Sequence, residues 1–181
     1  MVRTPILTSS WQNQLRQSLT HLVHNNPSPR IAIVGIGNNL NGDDAVGPQI
    51  IKSLKNWYTP GLSQPSFLLL DAGLSPESYT GSLRQFHPGL VILIDAAQMD
   101  APAGEVRWLP WEETEGMSAS THTLPISILS NFLTQEIGCQ VVLLGVQPAQ
   151  FELGQPLSKP VRLAKAKIIQ VFKKIFYYKS V

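Results

Sequence analysis

Short apolar runs alternate with amphipathic segments along this chain, and the alternation indicates an α/β fold. The candidate strands are residues 31–36, 67–71, 90–95, 105–109 and 140–146. Apolar residues at helical spacing mark the candidate helices at residues 44–57, 75–86, 124–137 and 159–178. Because near-continuous apolar strands separated by helices are typical of parallel sheets covered on both faces, we predict three α/β/α layers around a mostly parallel, twisted sheet of about five strands.

Another amphipathic segment precedes this alternating pattern. Ser9 or Ser10 can cap a helix in which Trp11, Leu15 and Leu19 share one face. Residues 25–29, which include two prolines, end that helix. We therefore predict an N-terminal helical extension at residues 1–29 and a single α/β domain at residues 30–181, with residues 110–123 forming a long loop.

Composition excludes several classes of protein. The 181 residues are 43% hydrophobic and carry a formal charge of +2, which is too balanced for a nucleic-acid binder. The single cysteine, Cys139, allows no internal disulfide and favours a buried core position. The N-terminus lacks the pattern of a signal peptide, and no apolar run is long enough to span a bilayer. We expect a cytoplasmic monomer that is not inserted in a membrane.

The segment from Arg30 to Asp44 is the most informative one for function. An apolar strand leads into a turn rich in glycine and asparagine, and Asp43 and Asp44 follow it. A phosphate-binding loop would need a lysine here, and a dinucleotide fingerprint would need a third glycine that is absent. The segment presents carboxylates, so it favours a cation over a nucleotide.

Two further polar side chains fall at comparable positions. Asp95 closes the strand at residues 90–95, and His122 lies just before a predicted helix. Strand ends of this kind meet at the rim where α/β proteins bind ligands. Asp44, Asp95 and His122 form an O,O,N set suited to a divalent ion such as Ni, Mn, Fe or Zn, with coordination positions left open.

Each of these residues also has a structural interpretation. Asp43 or Asp44 can simply cap a helix, and a single histidine is more often a hydrogen-bonded surface residue than a metal ligand. Their joint placement at one rim favours the metal hypothesis. Asp43 remains open, since a role as an acid or base and a role in stabilising the turn are both compatible with its position.

The C-terminal segment is strongly basic. No acidic residue follows Glu152, whereas half of the 14 basic residues lie between Lys159 and Lys179. The pattern predicts a packed amphipathic helix with a solvated cationic face. Docking of an acidic partner is the alternative.

The motifs resemble those of the nickel–iron hydrogenase maturation endopeptidases. The family's Gly-Asn-x-x-x-Gly-Asp-Asp/Glu motif matches residues 37–44, and its later motifs match residues 90–95 and 121–125. Supporting matches at residues 102–105 and 144–148 most resemble the branch that processes formate-linked and energy-converting hydrogenases. The resemblance covers about residues 30–176.

The resemblance implies a function. Such enzymes remove a C-terminal extension from the hydrogenase large-subunit precursor after nickel has been inserted. The family's metal-binding positions fall on Asp44, Asp95 and His122, which would recognise nickel presented by the precursor. Asp44 and Asp95 are then the catalytic candidates, with Asp43 as a further one. A non-catalytic protein that only checks for nickel in the precursor is the alternative.

Overall fold

The computed structural model describes residues 10–58, 66–114 and 125–176. The strands are β1 (Arg30–Ile36), β2 (Ser66–Gly73), β3 (Leu90–Ala96), β4 (Val106–Pro110) and β5 (Gln140–Val146). The α-helices are α1 (Trp11–Asn25), α2 (Val46–Lys55), α3 (Thr80–Phe86), α4 (Ile126–Ile137) and α5 (Lys159–Phe176). None of the helices in these ranges has the length and apolar character that crossing a membrane requires.

All five strands belong to one sheet with the order β2-β1-β3-β5-β4. Strands β1, β2, β3 and β5 are parallel, and β4 pairs antiparallel with β5 at one edge. The predicted fold class is thereby confirmed. Since the chain places β2 on one side of β1 and β3 on the other, the strand order reverses between β1 and β3. Such switch points open a crevice outside the carboxyl ends of the strands.

The sheet separates two hydrophobic cores. Alternate residues of β1 face opposite sides: Ile31 and Ile33 pack with α1, α2 and α5, whereas Ala32 and Val34 pack with α3 and α4. Helix α1 is part of the first core, because Trp11 and Leu15 are buried in it. The boundary at residue 29 remains a prediction, but the helix of the proposed extension shares its core with the rest of the chain.

The structure differs from the predicted elements around three turns. The helix expected at residues 75–86 begins as a 3₁₀ turn at Pro76–Tyr79, and α3 starts only at Thr80. The helix expected from residue 44 begins as a 3₁₀ turn at Gly42–Ala45, where the Asp44 N–H donates to the carbonyl of Asn41, and α2 starts only at Val46. The predicted loop at residues 110–123 begins with a 3₁₀ turn at Trp111–Glu113, and residues 115–124 lie outside the described part of the chain. These differences shift boundaries and leave the architecture unchanged.

Gly47 allows helix α2 to lie directly on the strand ends. A Cβ atom at this position would come within 2.4 Å of the Ile36 carbonyl oxygen and within 2.3 Å of the Ile94 carbonyl oxygen. These oxygens belong to β1 and β3, so the close approach occurs at the switch point itself. Because α2 begins two residues after Asp44, the position of this helix on the strand ends fixes the position of the acidic turn.

Gly47→Ala should lower the free energy of unfolding by about 2–3 kcal/mol, since the new methyl group collides with backbone that cannot move aside cheaply. Gly81→Ala is the matched control: Gly81 is also helical, and a Cβ there meets nothing within 4 Å. The control should be neutral or slightly stabilising. Urea unfolding measures both. Equal stability of the two variants would contradict the assignment of Gly47 as a contact glycine.

Candidate active site

The carboxyl ends of β1 and β3 bring Asp44 and Asp95 to the same crevice. These strands are hydrogen-bonded neighbours, with Gly35 opposite Ile94 in the register. Asp95 lies in β3, one residue beyond that pair, and Asp44 lies in the turn that follows β1. The sequence alone did not reveal that β1 and β3 are adjacent.

The glycine-rich turn holds one oxygen of Asp44 and leaves the other without a partner. The backbone N–H of Asn38 donates to Asp44 Oδ2 at 3.0 Å. Gly37 makes this possible with a φ of 130°, and a Cβ there would lie 1.9 Å from the Asp44 carbonyl oxygen. Asp44 is only 2% exposed, and its Oδ1 has no hydrogen-bond partner among the described residues. The turn therefore orients the carboxylate without satisfying it.

Asp95 is fully buried, and neither of its carboxyl oxygens has a hydrogen-bond partner in the described part of the chain. Burial raises the pKa of Asp95 well above its usual range, and the negative charge of Asp44 raises it further. The N–H of Ala96 lowers this pKa in part. That N–H lies close to the carboxyl group without the geometry of a regular hydrogen bond, so neither oxygen is satisfied within the described residues.

This arrangement suits a cation. Buried polar groups are normally hydrogen-bonded, and an unpaired buried carboxylate costs several kcal/mol. Two neighbouring carboxyl groups with three oxygens that lack a partner among the described residues accumulate that cost in one place. A divalent ion would offset it by neutralising the charge and accepting the oxygens as ligands. The residues present thus fit a metal, and they supply hard oxygen donors to it.

The third predicted ligand, His122, lies outside the described residues. Within those residues, no group of three or more His, Cys, Asp or Glu side chains is placed to hold a metal ion. Glu77 also has one buried oxygen without a partner, but it does not complete such a group with the aspartate pair. The histidine remains a prediction from sequence.

Asp43 has a different environment from its neighbour. It is fully buried, and its oxygens accept hydrogen bonds from the backbone N–H groups of Ala149 at 2.8 Å, Gln150 at 3.1 Å and Ser158 at 2.6 Å. Its own N–H donates to the Gln150 carbonyl at 3.1 Å. Asp43 therefore ties the turn after β1 to the segment between β5 and α5. These contacts favour the turn-stabilising role among the two that the sequence left open.

Gln147 supports the site in a way that sequence reasoning missed. Its side-chain oxygen accepts a hydrogen bond from the N–H of Met99 at 2.7 Å, and its backbone bonds to Gly104 and Glu105 at 2.8 Å each. These bonds hold the segment after Asp95 against the end of β5. A polar residue that directly follows an apolar strand, and is followed by proline, was the available signal.

Comparison with known proteins identifies the family. A family model described as hydrogenase maturation protease matches residues 48–175. The chain belongs to this family. The matched range includes Asp95 and His122 and begins shortly after Asp44. The family predicted from the motifs is confirmed, and so is the prediction of a peptide hydrolase, because the relatives are named proteases and endopeptidases.

Individual relatives agree with this assignment. The hydrogenase 3 maturation protease of Escherichia coli is 27% identical over 136 residues, covering 75% of this chain and 83% of its own. A Methanocaldococcus jannaschii protein, named as a candidate hydrogenase maturation protease, is 35% identical over 143 residues, covering 77% and 84%. The crystal structure of the nickel–iron hydrogenase maturation protease HycI from Thermococcus kodakarensis is similar with a TM-score of 0.75 and 30% identity, covering 89% of this chain and 99% of that one.

Replacing Asp43 should destabilise this peptidase far more than replacing Asp44. Asp43→Ala leaves three backbone N–H groups without their acceptor, which should lower the free energy of unfolding by about 3 kcal/mol or more. Asp44→Ala removes one such bond and an unsatisfied oxygen, so its effect should be smaller. Chemical denaturation of both variants measures the difference. A larger loss for Asp44→Ala would contradict the roles assigned to the two acids.

Asp95→Asn should stabilise the metal-free enzyme at neutral and alkaline pH. Because the pKa of Asp95 is raised, the folded state keeps a proton that the unfolded state has released. The contribution of Asp95 to folding stability is therefore complete in acid and is lost as the pH rises through the folded-state pKa. Asparagine keeps the shape and cannot ionise. The gain in unfolding free energy should therefore shrink towards about pH 4, where the unfolded aspartate is itself protonated.

Denaturation of wild type and Asp95→Asn across this pH range, with a chelator present, isolates the effect because the other groups are common to both. A variant less stable than wild type at alkaline pH would show that the ionised Asp95 carboxylate does not destabilise the free enzyme.

Proposed function

We propose that this peptidase removes the C-terminal extension from the large-subunit precursor of a nickel–iron hydrogenase after nickel has been inserted. One observation carries the proposal: Asp44 and Asp95 are buried side by side, and three of their four carboxyl oxygens lack a partner among the described residues. Membership of the maturation protease family supplies the reaction class. The carboxylate pair supplies a reason why a metal in the substrate would be recognised.

The nickel is best understood as part of the substrate. In the free enzyme, burial and, next, repulsion from Asp44 raise the pKa of Asp95. A cation arriving with the precursor would relieve that repulsion, so binding would be more favourable for the loaded precursor than for the empty one. His122 would complete an O,O,N set with the two aspartates, and imidazole suits nickel.

Binding of the nickel by these three residues would place a nearby peptide bond of the precursor against the carboxylates. Hydrolysis then needs an activated water, and two routes are open: activation by the metal or deprotonation by a carboxylate. Asp95 suits the second route, because a raised pKa brings a carboxyl group closer to the range in which it both accepts and donates protons. Its buried position also keeps bulk water from the reacting groups.

The setting of the reaction follows from the same proposal. Because the proposed precursor receives nickel inside the cell, the enzyme is proposed to act in the cytoplasm. The precursor is the proposed partner, and the enzyme is proposed to act as a monomer without insertion in a membrane.

Purified enzyme incubated with nickel-loaded precursor should release a C-terminal peptide, detected as a loss of mass. Asp44→Ala, Asp95→Ala and His122→Ala should each slow this release by a factor on the order of 100 or more, since each removes a group that contacts the nickel or the reacting atoms. Asp100→Asn is the control, because Asp100 is an exposed aspartate in the loop after β3.

The outcomes separate the candidate functions. Normal cleavage by all three alanine variants would refute the role of the residues. Binding of the loaded precursor by wild type without any loss of mass would favour a protein that only checks for nickel. Equal cleavage of nickel-free precursor would show that the metal is not part of the substrate.

A further inference from the structure

One helical layer of this enzyme contains basic residues and no acidic ones. Helices α1, α2 and α5 cover the same face of the sheet, and none of them contains aspartate or glutamate. Most of their basic residues lie on α5. The ion pairs in the described ranges, Arg84–Glu136 and Arg107–Glu105, both lie outside this layer. The positive charge of the layer is thus not neutralised within the described structure.

Two of these basic residues, Lys165 and Lys173, line a groove between α2 and α5 that has a volume of about 470 Å³. We call it the α2/α5 groove; its polar walls are Ser53, Asn56, Trp57, Lys165, Gln170 and Lys173. This volume lies in the usual range of ligand-binding clefts. Two ammonium groups and several neutral hydrogen-bonding groups suit carboxylates attached to a peptide backbone.

Both ammonium groups are held in place by uncharged partners. Lys165 Nζ donates to Gln49 Oε1 at 2.9 Å, and Lys173 Nζ lies 3.3 Å from the centroid of the Trp57 ring. An amide or a ring positions the ammonium without cancelling its charge. Less side-chain entropy is then lost when an anion binds. Burial, and next the nearby Arg162, lower the pKa of Lys165, which an anion in the groove would counteract.

We propose that the α2/α5 groove binds an acidic segment of the hydrogenase large-subunit precursor, an inference that rests on the function proposed above. Charge complementarity defines the occupant as acidic. The groove would act as a second contact for the precursor, separate from the carboxylates that recognise nickel.

The position of the two helices connects the groove to the active site. Helix α2 begins two residues after Asp44, and α5 begins next to Ser158, which hydrogen-bonds to Asp43. The helices run in the same direction, since Gln49 in the first turn of α2 contacts Lys165, and Trp57, just after α2, contacts Lys173 further along α5. The groove therefore leads away from the carboxylates over about 12 Å. A protein segment that leaves the active site can follow it.

A nucleic acid fits these features less well. The whole chain has a formal charge of only +2, and binding of single strands relies on a series of aromatic rings that stack on bases. Trp57 is the one aromatic residue lining the α2/α5 groove among the described residues, and Lys173 covers one face of its ring.

A pair of charge-reversal variants tests the groove. Lys165→Glu with Lys173→Glu places two negative charges in it, and Lys167→Glu with Lys174→Glu makes the same charge change at exposed positions of α5 outside it. With full-length nickel-loaded precursor, the groove variant should raise KM about 10-fold or more, whereas the control should change it less than about 3-fold. Added salt should weaken precursor binding to wild type and strengthen precursor binding to the groove variant, because it screens an attraction in the first and a repulsion in the second.

Direct binding of the precursor, measured by calorimetry alongside cleavage, keeps the two proposals distinguishable. Absence of cleavage by wild type refutes the proposed function. The calorimetric affinity for the precursor then still tests whether the groove binds it. If both double variants cleave the precursor with the KM and the affinity of wild type, the groove proposal alone is refuted. If the glutamate variant is misfolded, Lys165→Met with Lys173→Met replaces it in the test. This variant keeps the apolar stems, and it should also weaken binding of the precursor. Displacement of the precursor by RNA from wild type but not from the groove variant would reassign the groove to nucleic acid.

Discussion

Two carboxyl groups lie in one buried crevice, and three of their oxygens have no hydrogen-bond partner in the described part of the chain. The free energy that this costs is the constraint on which the rest of the structure depends. Asp44 and Asp95 are both almost completely buried, and burial, and next the charge of Asp44, disfavour the ionised form of Asp95. A fold selected for stability alone would replace them with apolar residues. Their presence is understandable if a cation binds to them during the reaction.

The surrounding contacts keep the pair in place. Gly47 seats α2 on the ends of β1 and β3, and Gly37 lets the turn come close enough for the N–H of Asn38 to hold one oxygen of Asp44. Asp43 ties the same turn to the segment that leads into α5. The adjacent residues Asp43 and Asp44 therefore have different structural roles. One is fully hydrogen-bonded and stabilises the turn, and the other is left partly unsatisfied and available to a ligand.

Much of this organisation was predictable because it depends on local pattern. Apolar runs such as residues 90–95 are long enough to identify buried strands, and an acid at the end of a strand indicates the ligand-binding rim. The adjacency of β1 and β3 was not predictable in the same way, since strand order depends on how distant helices pack. The role of Gly47 was missed because a glycine between apolar residues has no local signature of close contact. Asp43 and Asp44 could not be separated from sequence, as their difference lies in partners more than 100 residues away.

The central claim is that Asp44 and Asp95 recognise nickel carried by the precursor. Calorimetric titration of nickel-loaded and nickel-free precursor into wild type and into Asp44→Asn with Asp95→Asn tests it most directly. Wild type should bind the loaded precursor at least about 10-fold more tightly than the empty one, which corresponds to about 1.4 kcal/mol. The double variant should show no preference. A preference for loaded precursor that persists in the double variant would contradict the claim.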